Sequence, residues 1–227
     1  MHFHQEMDIQ ISAISGTSAG ALIGVLICDG YTPMQIKEII LSEEPKISWS
    51  ALGFKQGLFS THTIHALLKK YLRVKTFADL DRPFFVSLTN LASGENEIIN
   101  QGDLLEVLLA ASAIPALFSP VEINEKPYAD GGMTNNLPLS PFLKSNTKII
   151  ASHVNPLSPY QSNFSTAKII DRSMHIMLRS HINEAIQSCD IFIEPPQLHQ
   201  FHLFDTKKAK DIIEVGYEYT KNEIIIE

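Results

Sequence analysis

The chain has 227 residues, 44% of them hydrophobic and 19% charged, with a formal net charge of −7. That apolar share can bury one substantial core, read as a single domain over residues 1–227, and excludes a disordered or repeat protein. The acidic balance argues against a nucleic-acid surface and gives no global attraction to anionic lipid, so any membrane contact must be local and apolar.

Cys28 and Cys189 are the only cysteines, which reads as free thiols in a reducing, cytoplasmic setting with no disulfide framework. The longest apolar run, Ala19 to Cys28, is too short to span a bilayer. The start has neither a basic segment nor a small-residue cleavage site.

Taken in chain order, Ile11 to Ser15 reads as the end of a strand that turns through Gly16-Thr17-Ser18-Ala19-Gly20 into an apolar helix ending at Cys28. Gly30 suits the end of that helix, and Thr32-Pro33-Met34-Gln35 is a capping box with proline at the first helical position, opening a helix to about Leu41. The stretch from Glu44 to Phe59, with Pro45, Gly53 and Gly57, is loop-like, and a helix follows from Thr61 to Tyr71. Phe84 to Leu91 and Glu97 to Asn100 flank a turn at Ala92-Ser93-Gly94-Glu95 and predict a hairpin. Asp103 with Glu106 caps a helix through Ser112, and a second proline, Pro120, leads into Val121-Glu122-Ile123. Then come a strand from Lys148 to Val154, a helix from Thr166 to Gln187, a strand from Asp190 to Glu194 and a final helix from Thr206 to Asn222. Such alternation predicts a mixed α/β sheet between helical layers.

A serine between two glycine spacers, after one apolar run and before another, is the sequence form of a nucleophile elbow: the turn residue is forced into a strained conformation, and the glycines remove side chains that would collide. Backbone N–H groups at a helix N-terminus lack intrahelical partners, so those of Ala19 and Gly20 are available to a developing negative charge. The alternative is a tight turn whose Ser18 merely caps the helix. Further on, Asp130 ends a short apolar stretch and is followed by Gly131 and Gly132, which presents its carboxylate at a strand terminus; an ordinary Asp-Gly turn is the alternative there.

Gly16-x-Ser18-x-Gly20, then Ala111-Ser112-x-Ile114-Pro115-x-x-Phe118-x-Pro120, then Asp130-Gly131-Gly132 with Asn135 and Pro138 just after, resemble in order and separation the patatin-like phospholipases. The resemblance runs from about Ile11 to the C-terminal region, where Gly216-Tyr217 fits the family's usual ending. It implies a three-layer α/β/α sandwich with a mixed, mostly parallel central sheet. It also implies a serine acyl hydrolase of the phospholipase A or lysophospholipase type, cleaving carboxylic esters of lipids through a Ser–Asp dyad and an acyl-enzyme. By motif matching, Ser18 is the nucleophile and Asp130 its base. Gly16 and Gly20 shape the elbow, Ala19 supplies one backbone oxyanion donor, and Gly131 and Gly132 position the aspartate. The implied partners are a lipid or acyl ester and a membrane touched peripherally, with no cofactor and no metal. A serine hydroxyl needs a group to take its proton, and an aspartate with a pKa of about 3.9 does so only if burial raises that value or a dry site strengthens the Ser–Asp hydrogen bond.

Patatin-like proteins also carry a glycine-rich loop with an arginine after their first strand, and Met1 to Gln10 contain neither residue. The expectation is therefore a sheet lacking its first strand. The alternatives are a partner chain that completes the sheet, or a noncatalytic lipid-binding or interaction remnant of the fold. An α/β-hydrolase would instead need Ser18, then Asp130 or Asp190, then His199 or His202. The pairs His62 with His65 and His199 with His202 have no carboxylate or cysteine cluster beside them and read as ordinary histidines rather than metal ligands. Trp49, Leu52 and Phe54 either touch acyl chains or pack beneath a loop, and Lys207-Lys208-Ala209-Lys210 reads as a solvated face.

Overall fold

Strand β1 (Ile14–Gly16) passes through Thr17 and Ser18 directly into helix α1 (Ala19–Cys28), whose Ala21, Val25, Leu26, Ile27 and Cys28 are buried. The computed structural model describes residues 9–47, 62–115, 118–160, 162, 165–179, 182–202 and 205–223; Trp49, Leu52 and Phe54 lie outside them. After α1, Asp29 closes the helix and Gly30 takes φ 83°, the left-handed conformation expected at that end. The Thr32 capping box forms: the Thr32 N–H donates to Gln35 Oε1 at 2.9 Å and the Gln35 N–H to Thr32 Oγ1 at 3.3 Å. The helix it opens, α2 (Pro33–Ile47), runs past Pro45. Helix α3 (His62–Tyr71) follows.

Strand β2 (Phe84–Asn90) is the centre of the larger sheet. Its even-numbered residues Phe84, Val86 and Leu88 are buried in one apolar cluster with α1, α3 and helix α4 (Leu104–Ala111), where Phe77 stacks on Phe84 with centroids 6.0 Å apart. Gly24 lets α1 approach closely, since a Cβ there would lie 2.9 Å from the Phe84 ring. On the opposite face Phe85 meets Phe142 edge-on, and the Ser87 and Thr89 hydroxyls bond to the segment after Asp130. That alternation is the period-two pattern of a strand covered on both faces.

Register explains where the site arises. Val86 pairs with Gly16 of β1 and with Ile99 of β3 (Asn96–Ile99), while Leu88 pairs with Glu97 of β3 and with Asp130 of β5 (Lys126–Asp130). A strand residue has one neighbour on each edge, so β3 runs along one edge of β2 and β1 and β5 share the other. β1 is parallel to β2 and ends opposite Val86; β5 is antiparallel and ends opposite Leu88. The two strands therefore run head-on toward each other, with only Ser87 between their ends. Strand β4 (Val121–Ile123) completes this sheet beside β5.

The sheet is mixed and flanked by helices, as expected, but less parallel than expected. In the larger sheet only β1 and β2 pair in parallel, while β2 with β3, β2 with β5, and β4 with β5 are antiparallel. Two of these antiparallel pairs are hairpins, one turning through Asn124 and Glu125, both at positive φ, and the third joins β2 to the distant β5. A separate parallel pair joins β6 (Ile150–Ser152) to β7 (Ile191–Ile193). The single helix expected from Thr166 to Gln187 is two, α5 (Thr166–Leu178) and α6 (Ile182–Ser188). The last helix, α7 (Ala209–Glu223), begins after one turn of 3-10 helix at Thr206–Lys208. Among the described residues no helix is long and apolar enough to cross a membrane.

Candidate active site

Ser18 stands at the junction of β1 and α1 with φ 53° and ψ −126°, a conformation that costs a non-glycine residue of order 1–3 kcal/mol and persists only where its surroundings impose it. The imposing contact is Gly16: a Cβ there would lie 2.5 Å from the Gly20 carbonyl oxygen, so only glycine lets α1 fold back this tightly on β1. Gly20, expected to shape the turn as well, has open space where its Cβ would sit. Ser18 does not cap α1, because its side chain makes no capping hydrogen bond. The Gly20 N–H, expected to be available, donates to the Thr17 carbonyl at 2.8 Å, which leaves the Ala19 N–H as the donor without a partner among the described residues.

Asp130 is held from three sides and is 5% exposed. Its N–H donates to the Ala113 carbonyl at 3.0 Å, its carbonyl accepts from the Thr89 hydroxyl at 2.9 Å, and its Oδ1 accepts from the Gly132 N–H at 2.8 Å. Gly131 packs onto the Ser87 carbonyl and hydroxyl so closely that a Cβ would collide with both, and a Cβ on Gly132 would lie 2.6 Å from Leu178. The segment beyond is tied to both strands: the Asn135 carbonyl accepts from Thr17 Oγ1 at 3.0 Å and from Ser87 Oγ at 2.9 Å, and the Pro138 carbonyl accepts from Ser15 Oγ at 2.6 Å.

Burial pushes the Asp130 carboxyl up to about 6, opposed by the nearby Ser18 side chain and by the Gly132 N–H that donates to Oδ1. The two side chains that the sequence placed in separate motifs line one cavity of about 640 Å³. From Ser18 the cavity follows α1 past Leu22, Ile23 and Leu26, a distance of ~12 Å at the rise of an α-helix, with Ile40 and Leu68 facing them. Its other wall comes from Asn136, His153 and Asn155 together with Met174, Met177 and Leu178 of α5.

Three residues at that second wall, of which His153 lines the cavity, were not singled out by motif. His153 follows β6 and Glu194 follows β7, so the parallel pairing of those strands brings them together: His153 Nδ1 lies 2.7 Å from Glu194 Oε1. The Arg179 guanidinium, just past the end of α5, donates to the same carboxylate oxygen. Burial alone would raise the Glu194 carboxyl, but the His153 and Arg179 hydrogen bonds outweigh it and hold the group below the usual carboxylate range. The available signal was two apolar runs, each ending in a titratable residue. His199 and His202, the histidines of the triad alternative, do not line the cavity; His199 Nδ1 faces the Pro196 carbonyl at 2.6 Å, and Asp190 bonds the Ile149 N–H at 2.6 Å. No triad is assembled from them. Among the described residues no three His, Cys, Asp or Glu side chains are grouped to hold a metal.

The patatin-like phospholipase family model matches residues 2–143, which include both Ser18 and Asp130. Similar proteins include a probable lipid hydrolase of Invertebrate iridescent virus 6, 26% identical over 161 residues, or 61% of this chain and 56% of the viral protein. A lysophospholipase of Candida albicans is 23% identical over 93% of this chain and 18% of its own length. An uncharacterized protein of Bacillus subtilis is 22% identical over 96% of this chain and 89% of its own length. The chain thus spans about half of the viral relative and under a fifth of the fungal one. With more than half of its residues matched by the family model, the chain belongs to the patatin-like phospholipases.

Proposed function

We propose that the chain hydrolyses carboxylic esters of lipids, with Ser18 as nucleophile and Asp130 as its base. The observation that supports this reading is that Ser18, at positive φ, and the buried Asp130, whose carboxyl is raised to about 6, line the same cavity. Such a carboxylate is a better base than an exposed aspartate and is still ionised at neutral pH. Ser18 Oγ attacks the ester carbonyl while Asp130 takes its proton; the proton then passes to the leaving alcohol, and water activated by Asp130 releases the fatty acid. The Ala19 N–H faces the oxyanion, with the partial positive charge of the α1 N-terminus behind it. The apolar lobe along α1 receives the acyl chain. His153 is not the base in this scheme, because its Nδ1 faces Glu194 and its Nε2 has no hydrogen-bond partner among the described residues.

The test is labelling with a fluorophosphonate probe, which reports an activated serine whether or not turnover is fast, alongside hydrolysis of a short soluble ester and of a lysophospholipid. Labelling and hydrolysis that vanish in Ser18→Ala and fall at least 100-fold in Asp130→Asn are expected. An unlabelled wild-type protein would sink the reading and favour a binding role for the cavity.

A further inference from the structure

We infer that His153 is the specificity-determining residue for the alcohol part of the substrate, accepting at Nε2 a hydrogen bond from a free hydroxyl beside the scissile ester. The assignment of the two lobes rests on Ser18 being the nucleophile. The ester carbonyl must then sit at Ser18, with acyl chain and alcohol leaving it in different directions. Beyond Ser18 the α1 lobe is lined mostly by apolar side chains, and its Glu43 and Tyr71 already bond each other at 2.7 Å, so the alcohol faces the wall that carries Asn136, His153 and Asn155.

Within that wall His153 is the constrained polar group. It is 2% exposed, its backbone N–H is fixed to the Ile193 carbonyl at 2.9 Å, and its ring is fixed at Nδ1 by Glu194, which Arg179 holds in turn. An ionised Glu194 places the ring proton on Nδ1, so in the neutral ring Nε2 carries a lone pair. That atom is buried and has no hydrogen-bond partner among the described residues. A buried acceptor left unpaired is unfavourable and calls for an explanation. In a cavity wall a substrate donor supplies one, and Met174 and Met177, on the same wall, are pliable enough to open a path to it. The complementary ligand is a hydrogen-bond donor rather than an anion, since the Arg179 charge is already met by Glu194. A monoacyl glycerolipid, whose neighbouring hydroxyl is free, meets that requirement; a diacyl lipid does not.

Binding tests this without relying on turnover. Two noncleavable ligands differ only in the group at issue: a hexyl ether of glycerophosphocholine with its free hydroxyl, and the same ether of propanediol phosphocholine, which lacks it. Calorimetric titration of the wild-type protein should show about tenfold tighter binding of the hydroxylated ether, the effect of one well-placed hydrogen bond. In His153→Asn the amide can still reach Glu194 from the position of Nδ1 but nothing replaces Nε2, so the preference should vanish while the melting temperature stays near that of the wild type. His153→Gln, which returns a polar atom near the place of Nε2, should restore part of it. Equal binding of the two ethers by the wild type, or a preference that survives in His153→Asn, overturns the assignment. Fluorophosphonate labelling of the same samples separates the two readings: a labelled protein without preference loses only the hydroxyl subsite, and a preference without labelling loses only the serine mechanism.

Discussion

Asp130 is a costly side chain to keep charged, and that cost has opposite consequences for activity and for stability. Its carboxyl is raised from 3.8 to about 6 by burial. As the proposed base it must be ionised, so kcat/KM on a soluble ester should climb tenfold per pH unit at acid pH and level off above about 6. Folding goes the other way. Because the folded pKa exceeds the unfolded one, the native state binds more protons between 3.8 and about 6, and stability falls as pH rises through that window. At pH 7 the charged group costs roughly 3 kcal/mol. Asp130→Asn, which can still accept from the Gly132 N–H through its amide oxygen, should therefore raise the melting temperature at pH 7, with the gain vanishing near pH 4. Thermal unfolding of both proteins across that range measures it, and a variant no more stable than the wild type at pH 7 would show that burial does not strain this carboxyl.

The elbow divides its two glycines into one that is needed and one that is not. Gly16→Ala would drive a Cβ to 2.5 Å from the Gly20 carbonyl oxygen, where neither β1 nor α1 can yield without losing register against β2. A loss of more than about 2 kcal/mol is expected by denaturant titration. Gly20→Ala meets nothing and adds a better helix former, so it should leave stability unchanged or raise it by up to about 1 kcal/mol. Such asymmetry was hidden in a symmetric sequence motif, because it depends on which glycine faces the other element. Local chemistry was legible: the Thr32 and Asp103 caps, the β2–β3 hairpin, and Ser18 and Asp130 each as a motif are set by near neighbours along the chain. Continuation of α2 past Pro45 was not, since a missing N–H reads as a stop while the ring's fixed φ still suits a helix. The two helices α5 and α6 in place of one were not legible either, and the Arg179 side chain just past α5 bonds the distant Glu194.

Across the molecule, the site exists because three separate pairings converge on one cavity: β1 and β5 end head-on along β2, β6 and β7 end side by side, and α5 packs against the turn after Asp130. Motif order alone could name Ser18 and Asp130, but the His153–Glu194 pair is created by sheet register and lies outside what any window of sequence contains. On the proposed reading the same convergence separates an acyl lobe from an alcohol lobe, and that acyl lobe has a measurable length. Ile23 lies on its wall little more than one helical turn from Ser18, so an indole ring at that position would close the lobe close to the nucleophile while leaving β1, β5 and their turns in place. With Ile23→Trp the ratio of kcat/KM for a long-chain ester to that for a butyrate ester should fall at least tenfold, because the longer chain loses its apolar burial at roughly 0.8 kcal/mol per methylene and the shorter one does not. Paired assays with butyrate and palmitate esters read this ratio directly. If Ile23→Trp left it unchanged, the acyl chain would have to run along the α5 wall instead, and the division of the cavity into two lobes would be reversed.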